Sequence, residues 1–575
     1  MEGSLIWILV VHILVIAYQG EVGASERIQK DFQYNPKQPY RTAYHFQPSK
    51  NWMNDPNGPM YYKGIYHLFY QYNPYAAVWG NITWGHAVSH NLIDWIDLEH
   101  AIEPTEPYDI NGCWSGSATM LPGGNPVILY TGADFKNRQV QNLAEPKNPS
   151  DPYLKEWIKA KNNPLMTPIN GIDPQFFRDP TTAWQGPDKR WRVVVGSQID
   201  GHGTALLYRS KDFVTWTKSE KPLHFSNKTK MWECPDFYPV IVSRRNGLDT
   251  SVHSKNSKHV LKASFDDQDY YIIGTYNPET DKFIPDVDFM ESYLKLRYDY
   301  GIFYASKTFY DSAKRRRILW GWVTEADDKL DDIKKGWSGL QSIPRSIVLD
   351  KNGKQLTQWP IKEIERLRRK EVSLQNKGVK GGTAFEITGI TASQADVEVS
   401  FHLPNLHDAE LMHPEKVDPK ILCSEKNASA KGVIGPFGLM VLASKNLTER
   451  TAVFFRVFKS HDDKYAVLMC SDQTRSSLRK EVNKSSFGAF VDVDPKENIS
   501  LRSLIDHSIV ESFGGGGKTC ITSRVYPELA VGQEAHLYVF NYGTKSVTIS
   551  NLHGWSMGRA KIFPAHGKRM FPIPN

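Results

Sequence analysis

Cysteine is scarce in this chain. Five thiols among 575 residues, Cys113, Cys234, Cys423, Cys470 and Cys520, are too few for a disulfide scaffold, and no CxxC or Cys/His spacing offers a zinc site. The odd count leaves at least one thiol free unless it pairs with another chain. Strong net charge is missing too. A net +7 over this length is a mild bias, not the footprint of a nucleic-acid binder. The densest basic runs, Arg315 to Arg317 and Arg366 to Lys370, read as solvated faces that could retain the protein on an acidic polysaccharide matrix. Long apolar runs are limited to Leu5–Tyr18, too short to span a bilayer easily. Followed by Val22 and Ala24, this run reads as a signal peptide over residues 1–24, although Glu2 and His12 are irregular for one. Secretion, not a membrane anchor, is the expectation. Amphipathic helical patterning of useful length is absent before residue 360, which leaves an all-β architecture.

Aromatic residues, by contrast, are plentiful: 16 Trp, 27 Tyr and 26 Phe. Such rings fill β-cores, and they also stack on the apolar faces of sugars. β-branched and aromatic runs bounded by Gly, Pro, Asn or Asp predict strands at Ile65–Tyr72, Val127–Tyr130, Trp191–Val195, Tyr270–Tyr276 and Ile318–Val323. Ser89–Trp95 and Ser210–Trp216 form a weak repeat, each with a Glu (Glu99, Glu220) four residues beyond its Trp. The copies lie two units of about 60 residues apart, near the size of a propeller blade with its loops. The texture changes near Trp359. Ile361–Val372 is charged, with helical character, and is read as part of a linker over 361–380 that separates a domain at 40–360 from one at 381–575. In the second, runs at Asp396–Leu403, Phe437–Ala443, Ala452–Phe458, Tyr465–Cys470 and His536–Asn541 predict a β-sandwich. Cys423 and Cys470, both in strand-like contexts there, make the best disulfide pair. Gly514 to Gly517 is a turn; Ser512 stands where a phosphate-binding loop needs its opening glycine. Sequons at Asn81, Asn227, Asn427, Asn446, Asn483 and Asn498 agree with passage through the secretory route.

Breaking a glycosidic bond takes two carboxyl groups, one to protonate the leaving oxygen and one to attack carbon or activate water. Three acids stand in suggestive contexts: Asp55 in Trp52-Met53-Asn54-Asp55-Pro56-Asn57-Gly58, Asp179 in Arg178-Asp179-Pro180, and Glu233 in Trp232-Glu233-Cys234-Pro235-Asp236. Taken singly, each has a plainer reading. Asp-Pro-Asn-Gly is a common turn, and Arg-Asp-Pro is usually a surface ion pair in a bend. Glu233 is the more telling case, because apolar neighbours favour the protonated carboxyl that a general acid needs. Cys234 reads as a small buried residue packing under it.

Together, and in this order, the three motifs resemble the active-site signature of glycoside hydrolase family 32, the invertases and fructanases. The resemblance runs from about Tyr40 to Met557. It includes Phe69 to Pro74, Trp114 to Ser117, Trp337 to Arg345, Asp506-His507-Ser508 and Glu511-Ser512-Phe513, with Pro235 as in the plant cell-wall branch. It implies a five-bladed β-propeller followed by a β-sandwich, and a secreted, apoplastic enzyme that removes terminal fructose with retention and needs no metal or organic cofactor. Asp55 would be the nucleophile, Glu233 the acid/base and Asp179 the transition-state stabiliser. Asn54, Gln71, Trp79, Ser115 and Arg178 would line the fructose pocket, Arg178 holding Asp179 in place. A protonated Glu233 beside an ionised Asp55 implies an acidic pH optimum. Sucrose is the first expectation for substrate and a fructan the second. A catalytically silent sugar-binding protein is a remote third, because all three acids are present. Asp266 matches a position that contacts the glucose half of sucrose in the resembling invertases. The Lys expected three residues further on is Asp269, which is expected to repel Asp266 and weaken that subsite.

Overall fold

Short hairpins set the pattern of the fold. In the computed structural model, Lys63 and Gly64 both adopt positive φ (45° and 87°), so the chain reverses in two residues between antiparallel strands Asn51–Tyr62 and Ile65–Asn73. The structure describes residues 37–563, except 170, 242–245, 255, 288–295, 413–417 and 461–463; the predicted signal peptide lies outside the described residues. Among the described residues the only α-helices are Lys329–Lys335 and Pro419–Glu425.

Five sheets, antiparallel apart from two short parallel pairings in the first, follow one another along the first part of the chain. Their leading strands are β1 (Asn51–Tyr62), β2 (Cys113–Leu121), β3 (Phe177–Arg178), β4 (Glu233–Ile241) and β5 (Tyr304–Asp311). β1 lies against both β2 and β5, β2 against β3, and β4 against β5; the strand beside β3, Trp191–Ile199, lies against β4. Contacts among the sheets therefore close on themselves. Each predicted strand is present with its ends moved by a residue or a few. The repeat has a structural meaning too. Ser89 and Ser210 end one strand and Trp95 and Trp216 begin the next, and Leu92 and Phe213 sit at the same point of the turn with φ of 65° and 66°. It marks one turn in the first and third sheets.

Two six- and seven-stranded sheets make the sandwich, with Val397, Phe401, Phe437, Leu439, Phe455 and Leu537 buried between them. Three expectations need correcting here. The segment read as a helical linker is a single 3-10 turn, Lys362–Leu367, followed by the edge strand Arg368–Val379 of a sandwich sheet. Most of this strand is exposed, with burial alternating only from 372 to 375, so its charged residues face solvent from a sheet edge and not from a helix. At the other end, Ile562–Phe563 leave the sandwich and pair in parallel with Trp95–Ile96 of the first sheet. The basic runs are divided between solvent and interior, with Arg315, Arg366, Arg369 and Lys370 exposed. Arg316 pairs with Asp311 and Glu363, Arg366 with Asp94 and Arg368 with Asp396, while Arg317 is buried over the Tyr238 ring.

Cys423 and Cys470 are disulfide-bonded, although Cys423 sits in the Pro419–Glu425 helix, not in a strand. Cys113, Cys234 and Cys520 are buried free thiols. Asn81, Asn227, Asn446, Asn483 and Asn498 are exposed and Asn427 is half-buried. Between the two parts of the molecule lies a fully buried polar seam. The backbone N–H groups of Ala43, Tyr44 and His45 donate to the Asp506 carboxylate at 2.6, 2.8 and 3.0 Å. The His45 ring bridges Asp506 (2.9 Å) and Glu511 (3.0 Å), and Glu511 and Asp299 share Arg345 at 2.6 and 2.9 Å.

Candidate active site

The start of every leading strand faces one cavity of about 410 Å³, lined by Asn54, Asp55, Gln71, Asp179, Glu233 and Tyr304 among others. Bulges aim these side chains. Pairing slips between Met53 and Pro56 in β1, between Cys113 and Gly116 in β2, between Glu233 and Asp236 in β4 and between Tyr304 and Lys307 in β5. A bulge adds a residue to one strand and turns its side chain away from the period-two pattern. Asp179, Cys234 and Ala305 carry positive φ of 65°, 43° and 51°.

Asp55 is buried and accepts hydrogen bonds from Asn54 Nδ2 (3.0 Å), Ser115 Oγ (2.5 Å) and Cys234 Sγ (3.3 Å). Asn54 is itself fixed by Trp52 Nε1, which donates to its Oδ1 (2.8 Å), and its Nδ2 donates also to Gln71 (2.9 Å); Gln71 in turn donates to Ser115. Burial, and then the charge of Asp179, push the Asp55 carboxyl up to about 6; the bonds from Ser115, Asn54 and Cys234 pull the other way. Burial also raises Asp179, against the pull of Arg178 and Lys307. Asp179 accepts the Cys234 backbone N–H at 2.8 Å.

Glu233 is better supplied with polar partners than its neighbours in sequence suggest. Arg178 Nη2 lies 2.5 Å from its Oε1, and the Tyr304 hydroxyl donates to its Oε2 at 2.5 Å. Trp232, just before β4 begins, points the other way, into a hydrophobic core with its Nε1 on Thr229. Arg178 is thus closer to Glu233 than to Asp179, whose carboxylate is 3.9 Å away. Burial opposes the Arg178 charge, but Asp179 and Glu233 outweigh it and hold the guanidinium protonated.

Cys234 does not pack passively under Glu233. Its thiol reaches both Asp55 and Asp179 (3.6 Å). Burial and the two carboxylates push its pKa well above the usual thiol range, so it stays an S–H donor. Beneath it, buried Lys262 donates to the Cys234 carbonyl (3.0 Å) and Ser306 carbonyl (2.8 Å), and Lys307 to that of Pro235 (3.2 Å). The structure brings Asn54, Asp55, Gln71, Trp79, Arg178, Asp179 and Glu233 to the cavity wall, with Ser115 bonded just behind Asp55. Trp79 is 57% exposed and stands edge-on to Trp114. Asp266 is not among them. It lies exposed at the tip of a hairpin with φ of 50°. Asp269 does not face Asp266 at all: it is buried and pairs with Lys262 at 3.2 Å, while accepting the Ala305 and Ser306 N–H groups. Tyr304, Trp114 and Trp322 also line the cavity and stand outside the residues read as the site from sequence. Tyr304 and Trp322 come from distant strands and carry no local motif, whereas Trp114 opens the Trp114-to-Ser117 string.

A buried carboxylate that accepts three hydrogen bonds, a carboxyl held by a cation and a phenol, and aromatic walls form a set suited to opening an acetal bond. Comparison with known proteins agrees. The sequence profile described as "Glycosyl hydrolases family 32 N-terminal domain" matches residues 45–360 and that of the "Glycosyl hydrolases family 32 C terminal" domain residues 363–556. An Arabidopsis thaliana protein named as an insoluble β-fructofuranosidase isoenzyme, CWINV1, is 57% identical over 97% of this chain and 98% of its own length. A fructan 6-exohydrolase of Beta vulgaris is 59% identical over 92% and 88%. The crystal structure of fructan 1-exohydrolase IIa from Cichorium intybus superposes with a TM-score of 0.91 at 57% identity, covering 92% of this chain and 99% of that one.

Proposed function

The chain belongs to family 32 of the glycosyl hydrolases, and on that premise we propose that it is a secreted, retaining β-fructofuranosidase that releases terminal fructose, from sucrose in the first place. The observation that carries the reading is the convergence of Asp55, Asp179 and Glu233 on one cavity from three different sheets. Asp55 attacks the anomeric carbon of the fructosyl unit. The three hydrogen bonds it accepts hold the carboxylate in place and keep its ionised form accessible despite burial. Glu233 protonates the departing oxygen and then takes a proton from the water that hydrolyses the fructosyl-enzyme. Arg178 and Tyr304 orient both of its oxygens for that exchange. Asp179, fixed through the Cys234 N–H, is set to hold ring hydroxyls as positive charge develops. Trp79 and Trp114 offer ring faces to the leaving sugar.

The five successive sheets, each leading strand facing the shared cavity, support a five-bladed propeller over about residues 40–360, with the sandwich as a buttress from Arg368 onward. The names of the relatives support an extracellular, cell-wall location, and the exposed sequons would carry glycans there. One observation favours a fructan as second substrate: Asp266 lies outside the cavity, so no carboxylate from that hairpin meets a glucose leaving group. Initial rates on sucrose, inulin and levan test the choice. Asp55→Ala and Glu233→Gln are each expected to lower kcat by about three orders of magnitude or more in a folded protein. Glu233→Gln should recover activity on a fructoside with a good leaving group, and Asp55→Ala should not. Near-normal rates for Asp55→Ala would rule out the assigned nucleophile.

A further inference from the structure

Behind the cavity sits an ion pair that no step of the reaction touches. Lys262 and Asp269 face each other at 3.2 Å with both side chains fully buried, and neither is among the residues that line the cavity. They belong to one hairpin, Ser257–Phe265 and Gln268–Asn277, which stands beside β4 in the fourth sheet. Taking two charges out of water costs much of what their attraction returns, so a buried pair is a weak stabiliser in itself. What it does for the molecule is read from its hydrogen bonds.

Both charged groups are spent on the two strand bulges that carry the acid/base and its phenol. Lys262 Nζ donates to the Cys234 carbonyl (3.0 Å) in the β4 bulge and to the Ser306 carbonyl (2.8 Å) in the β5 bulge. Asp269 accepts the Ala305 N–H (3.1 Å) on one oxygen and the Ser306 N–H (2.8 Å) on the other. The Ser264 hydroxyl closes the ring, accepting from Lys262 at 2.8 Å and donating to Asp269 at 2.5 Å. Cys234 and Ala305 carry positive φ of 43° and 51°. Backbone of this kind persists only where its surroundings over-determine it, and the ion pair restrains both positions from behind. Glu233 immediately precedes Cys234, and Tyr304 immediately precedes Ala305. The 2.5 Å bond between the Tyr304 hydroxyl and Glu233 therefore spans the fourth and fifth sheets, and Lys262 and Asp269 tie the same two sheets one residue further in.

We propose that Lys262 and Asp269 are positioning residues for the acid/base. They lock the β4 and β5 bulges at one spacing, and that spacing keeps the Tyr304 hydroxyl on Glu233. The inference rests on the acid/base role proposed for Glu233. Neither member of the pair exchanges a proton with substrate; together they set where the Glu233 carboxyl stands when it protonates the leaving oxygen. A displacement of about 1 Å at a reacting group costs up to about a hundredfold in rate.

The test compares kcat/KM on sucrose with kcat/KM on a nitrophenyl β-D-fructofuranoside, whose leaving group departs without a proton. Asp269→Asn keeps the size of the side chain and removes its charge. It is expected to lower kcat/KM about tenfold or more on sucrose and less than about threefold on the nitrophenyl fructoside. A merely structural role would lower both alike, because it removes active molecules without regard to substrate. In Tyr304→Phe enzyme, Asp269→Asn should cost little more on sucrose, since the hydroxyl it helps to place has gone. Equal losses on the two substrates, no loss on either, or full additivity with Tyr304→Phe would each overturn the proposal. If Asp269→Asn fails to fold, Ser264→Ala, which leaves both charges in place, goes through the same two assays. A loss on sucrose alone supports the proposal, and an equal or absent loss overturns it. Glu233→Gln is measured alongside. If it too loses both substrates alike, the acid/base reading fails and this inference with it; if Glu233→Gln is selective and the positioning variants are not, this inference alone falls.

Discussion

Asp55 is a carboxylate that the fold would sooner keep protonated, and that tension can be measured. Its folded-state pKa of about 6 lies above the ordinary value of 3.8, so the native protein binds this proton more tightly than the unfolded chain does. The group therefore favours folding fully below about pH 4, and its contribution is lost as pH rises through 6. Asp55→Asn is expected to raise the unfolding free energy at pH 7 by on the order of 2 kcal/mol and to leave it almost unchanged at about pH 3.5. Urea denaturation at the two pH values checks this, and a gain of equal size at both would refute it. Stability given up at the proposed nucleophile is the usual cost of function. At this scale the sequence was readable wherever a motif was contiguous. Asp55, Arg178, Asp179 and Glu233 each stand in a short distinctive string. Tyr304 was not readable, because a lone tyrosine in Phe303-Tyr304-Ala305-Ser306 gains meaning only when β5 is laid beside β4. Asp269 misled for a related reason: read in a line it neighbours Asp266, whereas in the hairpin it pairs across from Ser264 and points at Lys262.

At the scale of the element, the leading strands do their work where they stop being regular. Ala305 takes φ of 51° at the β5 bulge, beside Tyr304 and with its N–H on Asp269. An alanine in the left-handed region is strained by about 1 kcal/mol or more. Ala305→Gly should therefore leave the melting temperature unchanged or raise it, where an alanine-to-glycine change in a regular strand lowers it. Ala305→Val should destabilise by about 1–3 kcal/mol, since a β-branched residue fits that conformation worse. Thermal unfolding of the two variants side by side checks this, and a lower melting temperature for the glycine variant than for the valine variant would count against strain at the bulge. Strand existence was legible from β-branched and aromatic runs: His536–Asn541 and Phe437–Ala443 were placed to the residue. Bulges were not, because a slip in pairing depends on the partner strand. The charged run after Trp359 was misread because Lys, Arg and Glu suit a helix and the open face of an edge strand alike. The period of burial, which separates the two, becomes visible only once the neighbouring strand Val547–Met557 is in place.

On the scale of the whole molecule, the sandwich is not an appendage. Asp506 and Glu511 reach the first segment of the catalytic part through His45. Burial works against the His45 charge, but the two carboxylates outweigh it and raise its pKa, while burial's opposite push on Asp506 and Glu511 is overcome by His45 and Arg345. Removing one side of such a seam leaves buried charges unpaired, which costs about 3–5 kcal/mol for a single pair. A chain ending at residue 380 is therefore expected to be insoluble or unfolded and to release no fructose; a soluble, active fragment of that length, seen by gel filtration and assay, would show that the sheets close without the seam. The seam also sets a schedule. Tyr44 and its partner Asp506 are 462 residues apart in the chain, and at about 5–20 residues per second a ribosome takes tens of seconds to travel between them. Throughout that interval the first sheet is unfinished, and the Ala43–His45 N–H groups ahead of it still wait for a carboxylate that has not been made. The yield of correctly closed molecules is therefore tied to the speed of translation through the sandwich: a slow ribosome there lengthens the time in which the earliest-made part of the protein stays open to the wrong partner.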